Sequence, residues 1–584
     1  MTLVRRARSG SLALLLAGCA AGPAAPTPAD PAARVTRLAD EYVAAYFRRA
    51  PEATTRRGLP GDHGRVIDNS LVAVVEWRLR EDGWLRELRR VDSTALVGTP
   101  AWVTYGILRE MLEDSVATRV CRSELWNFNT NIGGWQSSYT SLSALHPVGT
   151  DSLRAAAIAR IRALPRFLRT ERANLREGIR LGYVASRSTV EAIVRQVDGI
   201  LAVPADSSPF ASPASRDSTP GFREAYVQAV AGELLPAIAE YRRFLVSEYL
   251  PRARAAIGVS ANPDGAACYQ ASVRRFSTLS ITPGEVFRAG EQHLARVEAE
   301  MQALGRRSFG TDDVPALLRR LREDTAWTFR TRREIVERSN AAIARAKAAM
   351  PRWFGRVPAA AVVIVEYPEF RQRAGAVPSY TAPSEDGRRP GIFNITTWQP
   401  ERISRAGLEV IAYHEAIPGH HLQTAIAQER RDAHPITRFF NFSGFSEGWA
   451  LYAERLADEM GLYSGDLDRM GMLAGESWRA ARLVVDAGIH SRGWTRPQAM
   501  EFLTAHSTIA PSVAEGEVDR YISWPGQATS YLLGSLTMHA LRQEAEARLG
   551  ARFDIREFHD QVLGAGTTTL PMLQERTERW MEHP

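Results

Sequence analysis

The sequence predicts a mainly helical protein, and three features of its 584 residues predict it. Apolar residues recur at helical spacing behind recognisable caps. Extended β-branched runs are confined to two short stretches. The phosphate-cradling G-x-x-x-x-G-K and the G-x-S-x-G nucleophile elbow are both missing, which argues against nucleotide-binding and serine-hydrolase α/β folds. With 45% hydrophobic and 24% charged residues the chain has the composition of a folded protein, so disorder, collagen and disulfide-scaffold classes are excluded. Length alone suggests roughly four domains.

The N-terminus comes first. Arg5, Arg6 and Arg8 precede the apolar run Leu12 to Ala17, followed by Gly18 and Cys19. A basic segment, an apolar segment and small residues describe a secretory signal, and the run is too short for a membrane span, which needs about 20 apolar residues. Leu16-Ala17-Gly18-Cys19 resembles the bacterial lipobox, which implies a signal over residues 1–18 and a lipid on Cys19. Residues 19–33 are Ala/Pro-rich and read as an extended tether, with the globular body over 34–584. No later segment is long and apolar enough to span. Cys121 and Cys268 then remain as an even pair in an oxidising compartment, free to bridge or to stand as buried thiols.

Along the body, residues 204–220 are rich in Pro, Ser and Asp and suit a loop or lobe boundary, and Ala261-Asn262-Pro263-Asp264-Gly265 is a second break. They suggest an N-terminal lobe over about 34–265 and a catalytic part over about 266–584. Thr282-Pro283-Gly284-Glu285 reads as a capping box. Val286, Leu294, Val297, Met301 and Leu304 follow at helical spacing, with Gly305 as the expected stop. Ala361–Val365 and Ile392–Thr396 are the two extended runs and predict a small sheet.

The net charge of +7 does not indicate a nucleic-acid partner. Lys347 is the sole lysine, and the arginines are scattered among acids instead of clustering on one face. The histidines are clustered: nine of the twelve lie from His414 onward.

Chemistry is therefore expected there, and the sharpest motif is Tyr413-His414-Glu415-Ala416-Ile417-Pro418-Gly419-His420-His421. Zinc takes neutral imidazoles and a carboxylate, and in H-E-x-x-H the intervening glutamate is the general base. Here Pro418 occupies the fourth position after His414, and the next histidines lie six and seven residues on. On a regular helix the sixth residue points away, and the seventh sits about 10 Å along the axis. Pro418 and Gly419 permit a bulge instead. A two-residue bulge brings in His420, which is preferred, and a three-residue bulge brings in His421. A third donor is expected from Ser446-Glu447-Gly448-Trp449-Ala450-Leu451-Tyr452-Ala453-Glu454, whose glutamates are seven apart on one helix face. One would bind metal and the other would orient a ligating histidine.

The runs H-E-A-I-P-G-H-H, S-E-G-W-A-L-Y-A-E, R-L-V-V-D-A-G-I-H (Arg482–His490) and W-P-G-Q-A-T-S-Y (Trp524–Tyr531) resemble a large bacterial family, the domain-of-unknown-function 885 family, many of whose members are lipoproteins. The family is placed with zincin metallopeptidases, near thimet-type oligopeptidases, carboxypeptidase Taq and angiotensin-converting enzyme. The resemblance covers nearly all of the mature chain. It implies a large two-lobed helical, zincin-like body with a small antiparallel β-sheet lining the active-site cleft. It also implies His414, His420 and Glu447 as zinc ligands, with His421 and Glu454 as alternatives, and Glu415 as the base. Tyr531 resembles the relatives' oxyanion donor, Tyr521 and His490 are further catalytic candidates, and Asp486 is a candidate supporting carboxylate. Ile392–Thr396 corresponds to the edge strand on which relatives lay a peptide.

The expected function is a zinc-dependent hydrolase, lipid-anchored in the bacterial envelope and facing the periplasm from the outer membrane. Its substrate is a peptide, and the membrane is reached only through the anchor. An inactive periplasmic scaffold with the same fold and a hydrolase of non-peptide amide or ester bonds are the alternatives.

Overall fold

The computed structural model describes residues 30–583, except 131–132, 374–375, 385–386 and 388. The expected signal, Cys19 and most of the expected tether lie outside the described residues. Helix α1 (Pro31–Arg49) starts inside the stretch read as tether: Asp30 caps it by accepting from the Ala32 amide at 3.2 Å, and Pro31 suits the first turn. The body therefore begins three residues earlier than position 34.

The protein is helical throughout, with a three-stranded sheet. Its apolar side chains divide differently from the expected lobes. One core, with Leu164, Val190, Tyr226, Ile238 and Tyr241, stays within residues 66–253. A larger core joins Val35, Leu38 and Leu108 to Tyr413, Trp449, Met538 and Leu573. The first helices thus pack with the C-terminal half and cross the expected division at 265/266. Apolar surface gains wherever it finds complementary surface, whatever the chain distance.

Helix α2 (Pro283–Ser308) carries the expected capping box: the Thr282 hydroxyl accepts from the Glu285 amide, and the Glu285 carboxylate accepts from the Thr282 amide. Val286, Leu294, Val297, Met301 and Leu304 form its buried stripe, but the helix continues past Gly305 to Ser308. Strands β1 (Val362–Glu366), β2 (Ser379–Thr381) and β3 (Gly391–Ile395) assemble in the order β1-β3-β2. β2 runs antiparallel to β3 as expected, with Tyr380 opposite Phe393. β1 runs parallel, with Ile364 opposite Phe393, so the sheet is mixed. The run expected as an edge strand is the central one: both flanks of β3 are hydrogen-bonded, and Phe393 and Ile395 face the core. The open edges belong to β1 and β2.

Five further helices build the site: α3 (Leu408–Glu415), α4 (His420–Glu429), α5 (Ser443–Glu459), α6 (Asp466–Arg492) and α7 (Ser530–Leu549). Cys121 and Cys268 form a disulfide, with Cα atoms 4.6 Å apart. Among the described residues no helix is long and apolar enough to cross a membrane.

Helices α5 and α7 touch backbone to backbone. A methyl group at Gly534 would stand 1.8 Å from the Gly444 carbonyl oxygen and 2.8 Å from the Gly448 Cα. Gly534→Ala is therefore expected to force the helices apart and to cost about 2–3 kcal/mol, read as a lower midpoint in urea unfolding.

Candidate metal centre

Helix α3 is oriented by a buried charge. Glu409 is fully buried, ion-pairs with Arg345 at 2.8 Å and Arg338 at 3.3 Å, and accepts from the Ser464 amide at 2.9 Å. With Val410, Ala412 and Tyr413 packed inward, His414 faces α5. The helix then stops. Ala416 leaves helical geometry, the Ile417–Pro418 peptide is cis, and regular hydrogen bonding resumes at His420. The chain turns back so tightly that a side chain at Gly419 would meet the His414 carbonyl oxygen at 1.9 Å and that of Tyr413 at 2.4 Å. Only glycine fits there. The Pro418 carbonyl is held by the Trp449 indole N–H of α5 at 2.9 Å.

This reversal brings together what a continuous helix would separate. The rings of His414 and His420 lie 4.9 Å apart and nearly perpendicular. Glu447 Oε2 of α5 stands 3.4 Å from His420 Nε2 and 3.7 Å from His414 Nε2. The three donor atoms all fall within 4.8 Å of one another, and His414, His420 and Glu447 are the only such group among the described residues. Two imidazoles and a carboxylate are a zinc donor set. Donors 2.0–2.1 Å from a tetrahedral ion stand roughly 3.3 Å apart, so the residues present fit the ion.

Two turns further along α5, Glu454 Oε1 accepts from His414 Nδ1 at 2.8 Å. That bond holds a proton on Nδ1 and turns Nε2 toward Glu447 and His420, so that Nε2 is the nitrogen that would give its lone pair to a metal. Glu454 therefore orients a donor instead of joining the set, and Arg479 of α6 backs it at 3.3 Å. His421 turns the other way. Its Nε2 donates to the Ala360 carbonyl at 2.9 Å, and its Nδ1 accepts from the Tyr380 hydroxyl at 3.1 Å. It ties the motif to the sheet and is not a donor to the centre.

Burial raises Glu415 above the usual carboxylate range, opposed by the adjacent His414 and His420. Its side chain makes no hydrogen bond or ion pair among the described residues, which leaves the carboxylate free beside the donors. Burial pushes His414 down, but Glu447, Glu454 and Glu415 outweigh it and bring the imidazole to about 9. Glu447, which burial alone would raise, is held well below its ordinary value by His420 and His414.

The other expected residues are placed as follows. His490 is fully buried, accepts from the Val259 amide at 3.0 Å and donates to the Tyr521 carbonyl at 3.0 Å. Burial lowers it to about 3. Both nitrogens are committed, so it is a structural cross-link and not a catalytic donor. The Tyr521 hydroxyl is committed too, donating to Glu517 at 2.7 Å and accepting from Arg482 at 3.0 Å. Asp486 is neither a surface acid nor a partner of the centre. Buried and raised to about 7, it accepts from the Tyr269 hydroxyl at 2.7 Å and the Gly526 amide at 3.0 Å, tying α6 to the Trp524–Tyr531 motif. Tyr531 is half-buried, and its hydroxyl accepts from Arg520 at 3.4 Å, leaving its own proton uncommitted. Glu409, Trp449 and Arg479 were not singled out from sequence, although Trp449 lies inside a motif that was.

Residues 51–576 match the family described as "Bacterial protein of unknown function (DUF885)". Two solved structures share the fold. A predicted lipoprotein from Colwellia psychrerythraea has a TM-score of 0.87 at 24% identity, covering 95% of this chain and 100% of that one. A predicted lipoprotein of unknown function from Shewanella oneidensis has a TM-score of 0.75 at 18% identity, covering 93% and 99%. No curated protein matches the chain.

Two substitutions test the centre. Glu454→Gln is expected to weaken zinc affinity by about 10–100-fold, measured by competition with a chromophoric chelator. Gly419→Ala is expected to abolish stoichiometric metal in elemental analysis, because the reversal that delivers His420 cannot close.

Proposed function

We propose that this chain, which belongs to the bacterial DUF885 family, is a zinc-dependent hydrolase of peptide bonds. The observation that carries the reading is the convergence of His414, His420 and Glu447 beside the unengaged carboxylate of Glu415. Two imidazoles and one carboxylate leave a coordination position open, as catalytic zinc sites do. Zinc, when bound there, supplies Lewis acidity toward a carbonyl oxygen and acidifies water.

The chain's own residues perform the remaining steps. Glu454 holds His414 in the donor tautomer. Glu415 takes a proton from the attacking water and delivers it to the leaving nitrogen as the C–N bond breaks. Burial suits it to both directions of transfer, because it brings the carboxyl toward working pH. Tyr531, with an uncommitted hydroxyl proton, donates to the oxyanion that develops on the substrate carbonyl. The open edges of β1 and β2, next to the His421 anchor, offer main-chain groups to an extended substrate. A lipid on Cys19 would hold this body at the outer membrane, facing the periplasm. The two similar structures described as lipoproteins support the lipid anchor.

Glu415→Gln is expected to retain one zinc per chain and to lose 10²–10⁴-fold in turnover, read by mass spectrometry of a peptide-library digest. Unchanged turnover would overturn the role of Glu415. A metal-loaded wild type that cleaves only non-peptide acyl substrates would correct the substrate class, and a wild type with neither metal nor cleavage would sink the reading. Tyr531→Phe is expected to lower kcat by about 10²–10³ with zinc retained.

A further inference from the structure

Three arginines far apart in the chain converge on a cavity of ≈ 450 Å³ at the C-terminal end of α4, where Arg356, Arg430 and Arg576 meet Glu429, Asp432 and Gly564. His420 opens the same helix, about 14 Å away along its axis, and the cavity shares no residue with the metal centre. The acids in the wall are engaged. Asp432 pairs with Arg430 at 3.1 Å, and Glu429 Oε1 accepts from the Ala359 and Ala360 amides at 2.7 and 3.3 Å. Arg430 is spent on that pair and on the Gly564 carbonyl, to which it donates at 2.8 Å. Arg356 and Arg576 remain, and neither has an ion-pair partner among the described residues. Asp560, beside Arg356, is taken by the main-chain amide of that residue at 3.0 Å.

Arg576, on the helix Leu570–Glu582, is the least compensated of the three. Its Nε is buried with no hydrogen-bond partner, although buried polar groups are almost always paired. Its terminal nitrogens, which border the cavity beside Gly564, make no hydrogen bond among the described residues either. Burial brings the group down to about 10, and Arg430 and Arg356 push the same way, with no carboxylate opposing them. A guanidinium does not shed its proton at neutral pH, so the charge stays in the wall and repels its neighbours. The adjoining cavity, which Arg430 and Arg576 also line, brings Arg579 and no acid.

We infer that this cavity binds a small phosphomonoester, with Arg356 and Arg576 receiving the phosphate and Arg430 alongside them. Two guanidiniums without a counter-ion call for two negative charges, which a phosphomonoester carries and a phosphodiester does not. Planar guanidinium forks also match the oxygens of a phosphate in pairs. The volume suits a molecule of modest size. Arg576 is half-buried, where a soluble ligand reaches it more readily than a headgroup held in a bilayer. The site needs no metal and stands independently of the hydrolase reading.

The test is isothermal titration of the full chain at about pH 8 with methyl phosphate, a dianion there, and with dimethyl phosphate, which has the same core and one charge. Methyl phosphate is expected to bind saturably, and dimethyl phosphate at least tenfold more weakly. Arg356→Gln and Arg576→Gln are each expected to lose at least tenfold in affinity for methyl phosphate with metal content unchanged. Arg356 is exposed, so that variant is also expected to keep its Tm. Binding that neither variant weakens lies elsewhere, the metal centre included, and overturns the inference. Equal binding of the two probes, tighter binding of succinate than of methyl phosphate, or no saturable binding overturns it as well. So does sedimentation with phosphatidate vesicles without binding of the soluble ester, because the phosphate would then come from a lipid. None of these results bears on hydrolysis, which is read with peptide substrates.

Discussion

The site depends on one close contact, the approach of Gly419 to the carbonyl oxygens of Tyr413 and His414. A helix that continued through Pro418 would carry His420 to the opposite side of the axis. The reversal turns six residues of sequence into two imidazoles at one point. Helix α5 then does three things at once. It supplies Glu447 as the third donor, Glu454 as the partner of the first histidine, and Trp449 as the clasp on the Pro418 carbonyl. Its own position is set by glycine contacts with α7.

Charge placement reinforces that geometry from the other end of α3. Buried carboxylates are costly unless paired and hydrogen-bonded, and Glu409 is satisfied by two arginines and a serine. The pairs fix the rotation of the helix that ends in His414 and Glu415. Glu415 has no such partner. Helix α3 thus carries one carboxylate that is fully tied down and another left free, and the difference separates a structural group from a reactive one.

Much of this was legible in the sequence, and the limits have physical causes. The capping box at Thr282 and the two extended runs are local signals, and they appear where expected. The pair Glu447 and Glu454 was legible as one helix face, since helical periodicity needs no tertiary information. Their division of labour, and the choice of His420 over His421, depend on what lies across the bulge: α5 on one side and the sheet on the other. His490 looked reactive because a histidine in a motif does, but its partners Val259 and Tyr521 are distant in sequence. The lobes were misdivided for a similar reason, as turn-rich breaks mark where the chain bends and not which core it joins.

The reversal at Gly419 also constrains how such a site can change. The distance between the histidines along the chain and the absence of a side chain at position 419 are one variable, not two. Restoring the four-residue spacing would make the glycine dispensable, while replacing the glycine would make the present spacing unusable. Substitutions at these positions are thus strongly epistatic. The motif behaves as an inherited block, and a residue-by-residue tolerance profile would understate how tightly its parts are bound to one another.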